Sequence, residues 1–137
     1  MSLDEFFSCN LKKVAEIVYV GKGVSFNTIY SQGTWYTRSS IKKKFRKIFT
    51  TLLLENKDIR FIDKYVIDVR YNSRHDPDNI VAMEKMFIDT LRGGDGQKAY
   101  IKDDSKKYCK GVILRPDETL KTNTFVFTLY EWNADKE

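Results

Sequence analysis

A chain of 137 residues with 42% hydrophobic residues, seven glycines and two prolines fits one folded domain over 1–137 and excludes a low-complexity chain. Two cysteines, Cys9 and Cys109, and a single histidine exclude a disulfide framework and a zinc cluster, so we expect reduced cysteines in an intracellular protein. Residues 1–10 contain no long apolar run, so we expect no signal peptide, no membrane span and a cytoplasmic location.

The net charge of +5 is unevenly distributed along the chain. Residues 11–60 contain eleven Lys or Arg against three acidic residues, a balance of +8, and the other residues sum to −3. Such a positive half favours a polyanionic partner, most simply nucleic acid. The alternative is a solvated basic face on an ordinary domain.

The first half of the chain predicts a strand and then a helix. Apolar and polar residues alternate from Val14 to Val20, as in a half-buried strand. Ser39 or Ser40 is a candidate N-cap for a helix whose apolar residues, through Leu52, recur at about 3.6-residue spacing. The opposite face of this helix is basic and carries Lys42, Lys43, Lys44, Arg46 and Lys47.

The second half predicts a strand over 61–71 and a helix from Asp76-Pro77 to about Leu91. Two more strands, over 108–114 and 122–132, are joined across a turn at 116–118, and we expect them to form a hairpin. The order β-α-β-α-β-β predicts an α/β or α+β fold. We expect a two-layer domain with a mixed sheet of about four strands and two main helices.

Acidic residues stand at two places in the second half. Asp76 and Asp78 flank the start of the helix, and Asp103-Asp104 precedes a strand. If the chain brings them together, their repulsion of roughly 4 kcal/mol per pair at about 4 Å requires a cation, and Mg²⁺ or Mn²⁺ suits carboxylate oxygens and phosphodiester chemistry. The alternative is that Asp76 caps the helix, Asp78 complements its dipole and the pair decorates a loop.

A lysine shares a helical face with the first acidic group. At about 100° per residue, Asp78, Lys85 and Asp89 lie on one narrow face, away from the apolar stripe. Lys85 is therefore a candidate for contacting a scissile phosphate or assisting the leaving group. The alternative is an i, i+4 pair with Asp89, worth only a few tenths of a kcal/mol.

Together these residues resemble the RusA family of Holliday junction resolvases over about residues 15–115. The family motifs are Asp-x-Asp-Asn, then Lys followed four residues on by Asp-x-Leu, then an Asp-Asp pair before a strand, with Ser-x-Asn-x-x-Tyr and an aromatic-Arg helix upstream. The matching residues are Asp76-Pro77-Asp78-Asn79, Lys85 with Asp89-Thr90-Leu91, Asp103-Asp104, Ser25 with Asn27 and Tyr30, and Phe45-Arg46. Lys85 stands six positions after Asn79, three more than in the family, which moves it nearly one helical turn along the same face.

The resemblance implies a homodimer that binds four-way DNA junctions and nicks two opposed strands with Mg²⁺, for which Mn²⁺ can substitute. It implies that Asp76, Asp78 and Asp104 are metal-site and catalytic carboxylates, with Asp103 a further candidate ligand and Lys85 the catalytic lysine. We expect DNA contacts from Lys42, Lys43, Lys44, Arg46, Lys47, Arg74 and Asn27. We interpret His75 as part of the approach to DNA, because Mg²⁺ sites use oxygen ligands. The alternative functions are a non-catalytic DNA-binding accessory protein of the same fold and a protein-interaction module with a basic surface.

Overall fold

The structure is a computed structural model that describes residues 10–23, 35–56, 59–94 and 96–133, without the side chains of residues 35–37, 77 and 78. It confirms the predicted order of elements and the mixed sheet with two helices. In chain order the elements are β1 (Leu11–Val20), α1 (Trp35–Leu54), β2 (Tyr65–Asn72), α2 (Pro77–Arg92), β3 (Cys109–Pro116) and β4 (Thr124–Trp132).

The four strands form one sheet in the order β1-β4-β2-β3. β4 runs antiparallel to both of its neighbours, and the register aligns Val20 of β1 and Asn72 of β2 with Thr124. β2 and β3 are parallel, with Tyr65 opposite Cys109. α2 is the crossover between these parallel strands, as such a connection requires.

The predicted hairpin of the last two strands is wrong, because β2 lies between β3 and β4. The segment joining them crosses the end of β2. There Asp117 N–H donates to the Tyr71 carbonyl at 2.7 Å, and Asn123 N–H donates to the Asn72 carbonyl at 2.6 Å. β2 is buried along nearly its whole length and bonds to a strand on each side. A strand buried in this way takes the centre of a sheet, and the last strand pairs with it there.

Three element boundaries differ from the sequence prediction. α1 begins at Trp35, so neither Ser39 nor Ser40 is its N-cap. β1 begins at Leu11 because its pairing with β4 extends to Trp132. β2 begins at Tyr65, and the preceding segment contributes only an isolated bridge from Ile62 to Ile101.

Both helices pack on one face of the sheet through a cluster of aromatic rings. Phe49 of α1 is fully buried, and its ring centroid lies 5.0 Å from that of Phe127 in β4 and 5.6 Å from that of Phe87 in α2. Phe45 and Tyr19 extend the cluster to the first strand, with centroids 5.4 Å apart. Phe49 of α1 thus contacts both α2 and the sheet, and its burial contributes to both contacts.

The opposite face of the sheet carries ion pairs. Asp68 of β2, only 3% exposed, accepts two hydrogen bonds from Arg115 of β3, from Nε at 3.0 Å and from Nη2 at 2.9 Å. Because a buried carboxylate is stable only when paired, Asp68 keeps Arg115 fixed on this face. Arg60 makes a similar two-pronged contact with Glu131 near the end of β4, at 2.6 and 3.2 Å, on the side of the sheet to which Phe127 belongs. Neither helix in the described part of the chain is long and apolar enough to cross a lipid bilayer.

We predict that Phe49→Ala lowers the free energy of unfolding by about 3–5 kcal/mol, because it removes a fully buried ring from the junction of both helices with the sheet. Leu54→Ala in the same helix is the control, since Leu54 is 61% exposed. Urea denaturation followed by circular dichroism measures both. Equal losses in the two variants would contradict the central role of Phe49.

Candidate functional site

Asp76 stands at the N-cap position of α2, directly before Pro77 at the start of the helix. Its backbone is extended, with φ −75° and ψ 158°, and its carbonyl accepts a hydrogen bond from Asn79 N–H at 2.9 Å. Its side chain is exposed and makes no capping hydrogen bond. The capping role allowed by the sequence is therefore not used, and a carboxylate remains beside the positive end of the helix dipole.

A polar cleft of about 340 Å³ is lined in part by the residues that directly precede Asp76 in the chain, and we call it the strand-end cleft. It is formed where β1 and β2 end and β4 begins. Its lining comprises Lys22, Gly23, Ser73, Arg74, His75, Thr122 and Asn123. Two lysine or arginine side chains and the only histidine thus lie at the end of the sheet where Asp76 begins its helix, and their charge favours an anion there.

A second acidic group lies at the other end of α2, around Arg92. The guanidinium nitrogens of Arg92 are 3.8 Å from Asp89 Oδ1, 3.7 Å from Asp103 Oδ1 and 3.9 Å from Asp104 Oδ2. Asp103 also accepts a hydrogen bond from Asp104 N–H at 2.8 Å. That hydrogen bond, together with the charge of Arg92, lowers the pKa of Asp103.

The structure places Asp76 and Asp104 at opposite ends of α2. The helix from Asp76 to Arg92 covers sixteen residue steps, which correspond to roughly 24 Å at about 1.5 Å per residue. Among the described residues no group of three or more His, Cys, Asp or Glu side chains could hold a metal ion. The side chain of Asp78 is outside the described set, so the metal site of Asp76, Asp78 and Asp104 stays a prediction.

Lys85 is exposed near the middle of α2, seven residues or about 10 Å along the axis from Asp78. Its positive charge opposes the rise in the pKa of the adjacent Glu84. Asp89, predicted on the same face, lies nearer to the second acidic group. The arrangement therefore leaves the catalytic role of Lys85 a prediction.

Glu84 is a candidate functional residue that the sequence analysis missed. It is 6% exposed, and burial raises its pKa to about 7, an effect opposed by Lys85 and reinforced by Asp89 and Asp104. The sequence did contain a sign of this, since Glu84 stands four residues after Ile80 and three before Phe87, on the apolar stripe of α2. A carboxyl group with such a pKa exchanges its proton near neutral pH, as general acids and bases do.

The basic side chains of α1 divide between two directions. Lys42, Lys43 and Arg46 line a cleft between α1 and α2, which we call the interhelix cleft, whereas Lys44 and Lys47 are exposed outside it. Arg46 is held in place because its Nη2 donates to the carbonyls of Gly93 at 2.9 Å and Gly94 at 3.1 Å. The other predicted DNA contacts are Arg74, which lines the strand-end cleft, and Asn27, which lies outside the described residues.

Arg46 closes the end of α2 in a way that sequence reasoning did not anticipate. The last carbonyls of a helix have no partner within the helix, and a cation placed there also opposes the helix dipole. Gly93 has a φ of +72°, and an added Cβ would lie 2.8 Å from the Lys98 carbonyl oxygen. The helix therefore ends at a glycine that no larger residue replaces without strain, with an arginine from α1 bound to it.

No family model matches the chain, and no curated protein matches its sequence. The resemblance to the RusA family thus depends on the motif residues alone.

We predict that Glu84→Gln, compared with the wild type, increases the free energy of unfolding more at pH 8 than at pH 5. The pKa of this carboxyl is about 7 in the folded protein, against an ordinary value of 4.5. Its stabilising contribution is therefore complete below pH 4.5 and is lost as the pH rises through 7. At about 1.4 kcal/mol per pKa unit, the variant should gain up to ~3 kcal/mol between these pH values relative to the wild type. Urea unfolding at both pH values measures it, with the exposed Glu55→Gln as control. A gain that is the same at both pH values would contradict the raised pKa.

Proposed function

We propose that this protein is a Mg²⁺-dependent endodeoxyribonuclease that acts as a homodimer on four-way DNA junctions and nicks two opposed strands. The observation that carries the proposal is the position of Asp76. Its carboxylate stands at a helix N-cap without capping the helix, beside a cleft lined by Lys22, Arg74 and His75. An exposed carboxylate next to cations suits a site that takes both a metal ion and a phosphate.

Asp76 and Asp78 are the proposed metal ligands. They fit Mg²⁺ because this ion is commonly held by one or two carboxylates together with substrate phosphates, and it keeps several waters. When bound, Mg²⁺ supplies a positive charge at the phosphate and makes a water molecule more acidic. The two residues lie within one turn of backbone at the start of α2.

The cationic residues of the strand-end cleft are proposed to orient the DNA. Arg74 and Lys22 would bind phosphates on either side of the scissile one, and His75 would contribute to this approach. Lys85, farther along α2, is proposed to reach the leaving group or a neighbouring phosphate. The proposed location of this activity is the cytoplasm.

Asp104 and Asp103 are included in the proposed metal site because the resemblance to the RusA family implies them. Within one subunit it lies with Arg92 at the far end of α2. If Asp104→Asn abolishes cleavage while the protein stays folded, the site is completed by the second subunit of the dimer. If cleavage continues, Asp104 serves the fold around Arg92.

The second candidate function is a DNA-binding accessory protein without catalysis. It is favoured by one observation, namely that the described residues hold a basic cleft between the helices and no cluster of three metal-ligating side chains. Such a protein would bind branched DNA equally with and without Mg²⁺ and would leave every strand intact. The two functions therefore separate in a single incubation of a synthetic four-way junction with and without Mg²⁺.

We predict that Asp78→Asn and Asp76→Asn each lower the rate of junction cleavage in Mg²⁺ by orders of magnitude, because each removes one charged ligand. Junction binding should persist or tighten, since a negative charge facing the phosphates is lost. Asp63→Asn, an exposed aspartate just before β2, is the matched control and should cleave as the wild type does. Cleavage by Asp78→Asn at the wild-type rate would place the metal site elsewhere.

We also predict a homodimer, because a four-way junction offers two equivalent strands and a protein with two-fold symmetry presents one site to each. Sedimentation equilibrium at micromolar concentration, with and without an uncut junction, measures the mass. A single 16.1 kDa chain under both conditions would leave paired nicking without an explanation.

A further inference from the structure

The interhelix cleft has a volume of about 510 Å³ and two unlike walls. On α1 it presents four cationic side chains and a serine hydroxyl, whereas α2 contributes one carboxylate and one apolar side chain. The residues of the α1 wall are Arg38, Ser39, Lys42, Lys43 and Arg46, and those of the α2 wall are Met86 and Asp89.

The cations of α1 form a row along the cleft. Arg38, Lys42 and Arg46 are spaced four residues apart, so they follow one another at about 6 Å along the helix axis. Arg46 is oriented by two neutral carbonyls of residues 93 and 94, and it therefore keeps its full positive charge. The spacing of the row is comparable to that of successive phosphates along a nucleic-acid strand.

Arg38 gives an independent indication of a ligand. Its Nε is buried and has no hydrogen-bond partner among the described residues. A buried donor without a partner costs about 1–3 kcal/mol, and an oxygen of a bound anion would remove that cost.

We propose that the interhelix cleft binds the sugar-phosphate backbone of DNA at a second place, separate from the site at Asp76. This inference rests on the proposed function and deepens it, because it names which part of the substrate this cleft holds. From Asp76 to Asp89 the helix rises by roughly 20 Å, so the two places engage backbone segments several nucleotides apart.

The shape of the charge favours a strand over a compact anion. The row from Arg38 to Arg46 extends about 12 Å, longer than a single phosphate can contact. Asp89 on the opposite wall repels an anion that fills the cleft from side to side, although Arg92 at 3.8 Å shares its charge. A backbone lying against α1 meets the cations and avoids the carboxylate.

The experiment measures binding of a fluorescein-labelled four-way junction in EDTA, where no cleavage occurs, over a series of salt concentrations. Arg38→Ala/Lys43→Ala removes two cleft charges. Lys12→Ala/Lys110→Ala removes two exposed lysine charges from β1 and β3, outside every proposed DNA contact, and is the matched control. The cleft variant should lose about tenfold or more in affinity at low salt, and its log–log salt slope should fall by up to about 0.9 for each lost contact.

Two further measurements complete the test. Asp89→Asn should tighten junction binding, because it removes the opposing charge from the cleft. If Arg38→Ala/Lys43→Ala does not fold, Lys42→Ala/Lys43→Ala replaces it with the same expected result. Inorganic phosphate and ATP are titrated separately, since a cleft for small anions would bind them and leave junction affinity equal in all variants.

Equal losses in the cleft variant and its control, or unchanged binding in both, overturn the inference, as does selective binding of the small anions. These results are distinguishable from failure of the proposed function. A wild type that cleaves junctions while the cleft variant binds normally refutes only the cleft. A wild type that binds through the cleft and never cleaves in Mg²⁺ refutes only the nuclease.

Discussion

The parallel pairing of β2 with β3 determines where the acidic candidate residues lie. A chain that leaves one strand and enters its parallel neighbour must return along the whole length of the sheet, and here α2 makes that return. Residues that follow β2, such as Asp76, therefore lie at one edge of the sheet. Residues that precede β3, such as Asp104, lie at the other. Because the crossover helix separates the two acidic motifs, the topology places them far apart. Their spacing in the sequence does not indicate this distance.

The order of elements could be predicted because the spacing of apolar residues within each segment indicates a strand or a helix. The same spacing does not indicate which strands lie beside it in the sheet. Alternation in 122–132 indicates which residues face the core, but it does not reveal that β4 inserts between β1 and β2. At the site, Asp76 could be placed at a helix start from Pro77 alone. The absence of a capping bond could not, because it depends on a side-chain rotamer, and the contact of Arg46 with Gly93 joins residues 47 positions apart. Glu84 could have been found from its position on the apolar stripe.

Arg46 links the fold to the proposed binding of DNA. Its aromatic neighbours in α1, Phe45 and Phe49, are buried in the core, while its guanidinium bonds to the carbonyl of Gly93 at the end of α2. The interhelix cleft therefore has a wall whose charge is positioned by the same contact that joins α1 to the end of α2. A phosphate bound there would meet a preorganised cation, so less conformational entropy is lost on binding than with a freely rotating side chain.

Asp76 and the acidic group around Arg92 differ in how their charge is balanced, and this difference supports the proposal that Asp76, with Asp78, binds the metal ion. Crowded carboxylates require a counter-charge, and at the end of α2 the protein itself supplies it, since Arg92 lies within 4 Å of Asp89, Asp103 and Asp104. In that group an arginine already stands among the three carboxylates, at 3.7–3.9 Å. At the start of α2, no ion pair involving Asp76 occurs among the described residues, and the nearby cations line a cleft open to a ligand. A divalent ion would therefore gain more from Asp76 and its neighbour than from carboxylates that must first release an arginine.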